Sequence, residues 1–167
     1  MKIIDNFLPE YQFKQLQSII LGDELSWYWN DTIVFPYEDG YDPKDYQFTH
    51  LFYDKRHPQR YDCSDHYPLI RDTFFSFLGI NECYRIKANL TTRTIFTRSS
   101  GWHIDFADIP NTAVYYVNTC NGYTKFKKGG KVKSVANRMV IFDSKLIHQG
   151  YTCTDQKRRV VLNFNWI

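Results

Sequence analysis

From Gly79 to the last residue the chain is a succession of short β-branched and aromatic runs separated by turn-forming pieces, and this restricts the fold more than any other feature. The runs cover residues 84–90, 93–97, 112–117, 123–126, 132–135, 138–142 and 159–167, with a further strand edge expected over 102–106. Lys127-Lys128-Gly129-Gly130-Lys131 reads as a hairpin tip. Seven or eight short strands at this spacing predict a sandwich or jelly roll rather than an alternating βα fold. Aromatic residues make up 18% of the chain and are spread along it, which also favours a mainly β fold.

Ahead of this region, residues 1–8 open as a short strand. Pro9 begins an amphipathic helix with Phe13, Leu16, Ile19 and Ile20 at helical spacing, ended by Gly22 and Asp23. Trp27, Tyr28 and Trp29 are placed in the core, with a pocket lining as the alternative. Residues 35–67 carry Pro, Gly, Asp and aromatics but few aliphatics, and read as a long irregular lid or binding loop. Its histidines, His50, His57 and His66, lack metal-ligand spacing and are taken as surface or hydrogen-bonding residues. Residues 66–78 are expected to form a second helix that buries Leu69, Ile70, Phe74, Phe77 and Leu78 and stops at Gly79. At 167 residues the chain is expected to be one domain, 1–167, with a helical support in 1–80 packed on one sheet of a β core in 84–167.

A net charge of +3 is too mild to require a nucleic acid or an anionic membrane as partner. The four cysteines, Cys63, Cys83, Cys120 and Cys153, show neither CxxC spacing nor the density of a disulfide scaffold, which predicts reduced thiols in a cytoplasmic protein. With no signal peptide or bilayer-length apolar run evident, no membrane partner is expected.

Chemistry concentrates in Trp102-His103-Ile104-Asp105-Phe106. On a strand, positions i and i+2 face the same way, so His103 and Asp105 are expected to project together. His148 follows the apolar run 139–142 and precedes a turn at Gly150, which puts it near a strand end. Alone it would read as structural. With an upstream His-x-Asp and a basic strand downstream it becomes the third ligand. Two histidines and one carboxylate that leave coordination positions open are the donor set of non-haem Fe(II) oxygenases.

The basic strand starts at Arg158-Arg159. Period 2 sends Val160, Leu162, Phe164 and Trp166 to one face and Arg159, Val161, Asn163 and Asn165 to the other. The apolar face is expected to pack, and the smaller polar face suits a cavity wall, which puts Arg159 inside. An arginine in a hollow wants a carboxylate that its planar fork can hold; the alternative is two solvated arginines. On 112–118, Val114, Tyr116 and Asn118 share one face and Ala113, Tyr115 and Val117 the other. Tyr116 either shares the carboxylate or contributes aromatic area to the core, and Thr124 offers a further hydroxyl to the hollow.

Taken in order, His103-x-Asp105, Val114-Tyr115-Tyr116-Val117-Asn118, Asn121-Gly122-Tyr123-Thr124-Lys125-Phe126, Asn137-Arg138-Met139-Val140-Ile141-Phe142-Asp143-Ser144, His148 and Arg159 resemble the signature of Fe(II)- and 2-oxoglutarate-dependent oxygenases. Within these they are similar to the prolyl hydroxylase-like branch, as is the opening Ile4-Asp5-Asn6-Phe7-Leu8-Pro9. The resemblance implies a double-stranded β-helix core of cupin-like type. It implies that His103, Asp105 and His148 bind Fe(II), and that Arg159 pairs with the distal carboxylate of 2-oxoglutarate with Tyr116 hydrogen-bonded to it. O2 would complete the cofactor set. The activity implied is hydroxylation of a C–H bond on a protein or peptide side chain, or on a free amino acid. Three positions depart from the pattern: Asn121-Gly122 replaces Gly-Gly, Asn89 or Thr91 stands where an upstream tyrosine is common, and Trp166 is out of register with Asn165 on the cavity face.

Two other classes fit parts of the sequence. A cupin-like protein would bind a metal or a small acid without oxidising anything. A nucleic-acid-directed oxygenase would use Lys125, Lys127, Lys128, Lys131 and Lys133 on phosphates, although a lysine-rich hairpin also serves to keep a sheet edge solvated. A structural zinc site is disfavoured, because two histidines and one carboxylate leave a position unfilled.

Overall fold

A computed structural model describes residues 1–34, 41–56 and 64–167. His57, Cys63 and two stretches of the expected loop, 35–40 and 57–63, lie outside the described residues. The elements run β1 (Lys2–Ile4), α1 (Glu10–Leu21), β2 (Tyr28–Asn30), β3 (Gln47–Asp54), α2 (Tyr67–Leu78), β4 (Cys83–Thr92), β5 (Asn111–Tyr116), β6 (Tyr123–Phe126), β7 (Gly130–Lys133), β8 (Arg138–Asp143), β9 (His148–Tyr151) and β10 (Arg158–Trp166). No helix among the described residues is long and apolar enough to cross a membrane.

Strands β1-β8-β5-β10-β4-β3-β2 form an antiparallel seven-stranded sheet, and β7-β6-β9 a three-stranded one. This is the mainly β, two-sheet architecture of a double-stranded β-helix. The outer face of the large sheet buries Ile86, Ala88, Ala113, Tyr115, Met139, Val160, Leu162, Phe164 and Trp166 against Phe13, Leu16 and Ile20 of α1 and Ile70 and Phe74 of α2. Between the sheets lies a smaller cluster of Val114, Tyr116, Phe126, Val132, Val140, Phe142 and Val161. The alternation expected on β10 and β5 is therefore present, with the larger apolar side chains toward the helices. Asn118 departs from it: its amide exchanges hydrogen bonds with the β10 backbone at Arg158 and Val160 and so prolongs the ladder past the end of β5.

Several expectations are corrected. The irregular stretch 35–67 contains β3, whose buried residues include Gln47, His50 and Asp54, so it lacks the apolar alternation that marks a half-buried strand. His50 is satisfied between the Ser26 carbonyl at 2.6 Å and Ser64 Oγ at 2.7 Å. Residues 93–97 form no strand: the Thr94 hydroxyl donates to the Phe96 carbonyl in place of a ladder, leaving Ile95 and Phe96 exposed. Residues 102–106 are not a strand but make one isolated bridge, His103 to His148. Tyr28 and Trp29 lie on the edge strand β2 and are exposed; Trp29 stacks on Tyr46 at 4.5 Å. Phe77 is also exposed, edging Phe7 at 5.8 Å. Residues 1–80 supply three strands of the large sheet as well as the two helices.

One buried polar residue ties the N-terminal segment to the sheet. Asn137 takes a left-handed backbone with φ 60, which asparagine tolerates better than most residues. Its Oδ1 accepts from the Leu8 amide and the Tyr115 hydroxyl, and its Nδ2 donates to the Leu8 carbonyl. Asn137→Ala strands these buried groups and should cost roughly 3 kcal/mol of unfolding free energy, measured by urea titration.

Candidate metal centre and cavity

The inner face of the large sheet and the small sheet enclose a cavity of about 210 Å³. β4, β5 and β10 supply one wall, and β6, β9 and residues 98–105 the other. His103 and His148 are brought together by backbone hydrogen bonds in both directions, His103 N–H to His148 carbonyl and the reverse, each 3.0 Å. Their rings lie 4.6 Å apart, and ligand atoms of His103, Asp105 and His148 all fall within 4.8 Å of one another. The three residues thus converge although only an isolated bridge carries His103.

Each imidazole is oriented by a carbonyl. His103 Nδ1 lies 3.2 Å from the Gly101 oxygen and His148 Nδ1 2.8 Å from the Leu146 oxygen. A ring nitrogen facing a carbonyl carries the proton, so both Nε2 atoms keep lone pairs for a metal. Burial, reinforced by His148, pushes the His103 pKa down to about 4, so its ring is neutral at pH 7. For Asp105, burial acts to raise the pKa, but His148, Arg85 and His103 outweigh it and hold the carboxyl at about 2. Asn163 Nδ2 lies 3.4 and 3.3 Å from the two carboxylate oxygens, and Arg85 Nη2 3.4 Å from Oδ1. A charged carboxylate and the neutral His103 ring, with His148 Nε2 turned to the same point, suit a divalent cation, and the donor set fits Fe(II).

At the other end, Arg159 is 6% exposed. Its Nε donates to Ser134 Oγ at 2.8 Å and its Nη2 to Thr124 Oγ1 at 3.1 Å, while its guanidinium lies over the Tyr116 ring at 5.6 Å. The Tyr116 hydroxyl donates to Thr124 Oγ1 at 2.8 Å, and burial raises its pKa, keeping the phenol protonated. No carboxylate meets Arg159 among the described residues. Arg158 points the other way, its Nη2 donating to the Leu21 carbonyl at the end of α1. A Cβ on Gly122 would meet Arg159 Cδ at 2.7 Å and the Tyr151 carbonyl at 2.9 Å, so the Asn-Gly pair keeps the glycine that the arginine's course requires.

Sequence reasoning named Asn89 and Thr91 at the position of an upstream tyrosine but missed Arg85, Lys87 and Ser134 on the same wall. Ser134 is buried under Arg159, and Arg85, Lys87, Asn89 and Thr91 line the cavity from β4. Their signal was the alternation with Ile86, Ala88 and Leu90, but lysine and arginine between apolar residues read as a solvated face. Burial, with Arg85 adding to it, pushes the Lys87 ammonium down to about 8, which leaves it mostly charged at neutral pH. Asn89 Oδ1, Thr91 Oγ1 and Asn163 Oδ1 are buried with no hydrogen-bond partner. Three orphaned polar atoms and an unneutralised arginine fit a cavity built to receive polar ligands such as a dicarboxylate.

No protein-family model matches the chain, and no curated protein matches it in sequence. Solved structures do match in fold. A 2OG-Fe(II) oxygenase family protein from Burkholderia pseudomallei superposes with a TM-score of 0.66 at 10% identity, covering 98% of this chain and 83% of that one. A Trichoplax adhaerens prolyl hydroxylase in complex with a peptide fragment of the hypoxia inducible factor oxygen degradation domain gives 0.63 at 15% identity, covering 99% and 82%. A Pseudomonas putida prolyl-4-hydroxylase gives 0.57 at 18%, covering 99% and 91%. At such identities the likeness is one of fold: the chain has the double-stranded β-helix fold of 2OG-Fe(II) oxygenases and prolyl hydroxylases, with a His-Asp-His cluster inside it.

Proposed function

We propose that the protein is an Fe(II)- and 2-oxoglutarate-dependent oxygenase that hydroxylates a C–H bond of an amino-acid side chain in a protein or peptide, or of a free amino acid. The observation that carries this is one cavity with a His103-Asp105-His148 cluster at one end and Arg159, free of any described carboxylate, at the other. Iron and 2-oxoglutarate held there would supply the oxidation, in which O2 would be reduced with one oxygen atom passing to the succinate formed as CO2 leaves and the other to the substrate C–H. His103 and His148 offer Nε2 and Asp105 a carboxylate oxygen to the metal. The Gly101 and Leu146 carbonyls, Arg85 and Asn163 hold these donors in place. Arg159 binds the distal carboxylate of 2-oxoglutarate, with the Thr124 and Ser134 hydroxyls fixing its fork and Tyr116 supporting Thr124. Val114 and Val161 line the passage between and limit water around the reacting groups.

Gly122→Ala tests the anchor without touching a ligand. Its methyl displaces Arg159, so 2-oxoglutarate affinity should fall by about 1 to 3 kcal/mol in calorimetric titration while metal affinity stays unchanged. Substrate class is tested by succinate release from the Fe(II)-loaded protein in the presence of peptides, free amino acids or oligonucleotides. Stimulation by amino acids or peptides is expected; stimulation by oligonucleotides alone would replace the substrate assignment.

A further inference from the structure

The proposed reaction employs Arg159 on the cosubstrate and Arg85 in holding Asp105, and leaves Lys87 on the cavity wall without a task. Arg85 and Lys87, two apart on β4, share the inner face and stand opposite Asn165 and Asn163 of β10. Arg85 is anchored: besides its approach to Asp105, its Nε donates to Asn165 Oδ1 at 3.2 Å, and its guanidinium lies 4.5 Å from the centre of the Phe106 ring. Lys87 is not. Its ammonium makes no hydrogen bond or ion pair with any described residue, although it lines the cavity rather than the outer surface. An ammonium withdrawn from bulk water with no acceptor is unfavourable, and a ligand that brings an anionic acceptor relieves it.

Charge and register say which ligand this is. The charged residues that line the cavity are Lys44, Arg85, Lys87, Arg93, Arg98 and Arg159 against Asp45 and Asp105, so the lining carries four more positive than negative charges. A divalent metal adds two, and a bound dicarboxylate removes two. The loaded cavity would keep its excess of four, which favours a further anion and disfavours a cation. Position along the strands separates this charge from the cosubstrate anchor. Thr91 is the partner of Arg159, whereas Lys87 is the partner of Asn163, which binds Asp105. Four residues of strand, on the order of 13 Å, lie between the two levels, so Lys87 belongs to the metal end. Asn163 turns its Nδ2 to Asp105 and leaves Oδ1 buried and unpaired beside this position, an acceptor for an N–H group.

We infer that the primary substrate carries a carboxylate, and that Lys87, with Arg85 beside it, binds that carboxylate at the metal end of the cavity. This rests on the oxygenase assignment above and narrows its substrate class. The C–H bond attacked then lies near a carboxylate, as in a free amino acid, an acidic side chain of a peptide, or a peptide C-terminus.

The test is calorimetric titration of the protein loaded with Mn(II) and 2-oxoglutarate. The titrants are free amino acids, peptides with acidic side chains or a free C-terminus, and the matching amides and methyl esters. Acids should bind and their neutral counterparts should not, and the set that binds identifies the source of the carboxylate. Lys87→Met should weaken acid binding by about 30-fold or more, and Lys87→Arg should recover part of it. Its affinity for 2-oxoglutarate should stay within about threefold of wild type, and its Tm should be no lower, because an unpartnered ammonium has been removed. Amides that bind as well as acids, acids that fail to bind, or acid binding untouched in Lys87→Met would overturn the inference. So would a lowered Tm, which would make Lys87 structural, or a loss of 2-oxoglutarate affinity matching that of Arg159→Leu, which would assign Lys87 to the cosubstrate. Failure of the wild-type protein to bind 2-oxoglutarate would instead bring down the oxygenase assignment itself.

Discussion

His103→Ala should reduce Fe(II)-dependent succinate formation to background and weaken metal binding by more than the roughly 10- to 100-fold typical of losing a residue that only supports a ligand. Of the three candidate ligands His103 is the cleanest to remove. It is half-buried, and its only side-chain hydrogen bond among the described residues goes to the Gly101 carbonyl, beside a loop. Removing Asp105 would also leave Arg85 and Asn163 without their acceptor, and removing His148 would open a gap against Phe126 and Phe142. Fold and function are therefore separable at His103. Circular dichroism and Tm of the metal-free variant should match wild type, while Mn(II) binding followed by paramagnetic resonance should be lost. A variant that binds Mn(II) as tightly as wild type would remove His103 from the ligand set.

Arg159→Leu should leave metal binding intact and cost 2-oxoglutarate on the order of 2 to 5 kcal/mol, which is about 30-fold to several-thousand-fold in Kd. The size follows from burial: at 6% exposure the guanidinium meets only hydroxyls and the Tyr116 ring, so the incoming carboxylate is its sole full counter-charge among the described groups. Arg158→Leu is the matched control. Its side chain caps the Leu21 carbonyl on the helix side of the sheet, so its loss should trim stability and spare the cosubstrate. Equal 2-oxoglutarate affinities in wild type and Arg159→Leu would show that the anion sits elsewhere.

The parts of this molecule that could be read from sequence are those where side-chain type and exposure alternate together. On β10, Val160, Leu162, Phe164 and Trp166 turn to the helices and Arg159, Val161 and Asn163 line the cavity, as period 2 requires. Helix α2 was equally legible, with Pro68 near its start and Gly79 at φ 65 closing it. Where burial is polar the rule fails. β3 buries Gln47, His50 and Asp54, and β9 consists of His148, Gln149, Gly150 and Tyr151, so neither shows an apolar stripe. β4 misleads in the opposite direction, since its Arg85 and Lys87 look solvated yet face a cavity. The convergence of His103 with His148 depends on an isolated bridge between segments 45 residues apart, which no local pattern encodes. Ordered motifs succeeded there because they carry information about the whole fold that periodicity lacks.

The most direct test of the oxygenase assignment is a single exposure to O2 of protein loaded anaerobically with Fe(II) and 2-oxoglutarate, with succinate quantified beside His103→Ala and Arg159→Leu. Succinate should form in wild type, be absent in His103→Ala, and return in Arg159→Leu only as 2-oxoglutarate is raised. Bound 2-oxoglutarate recovered unchanged from wild type, with every candidate substrate class supplied, would contradict the assignment and mark the cavity as a binding site without turnover.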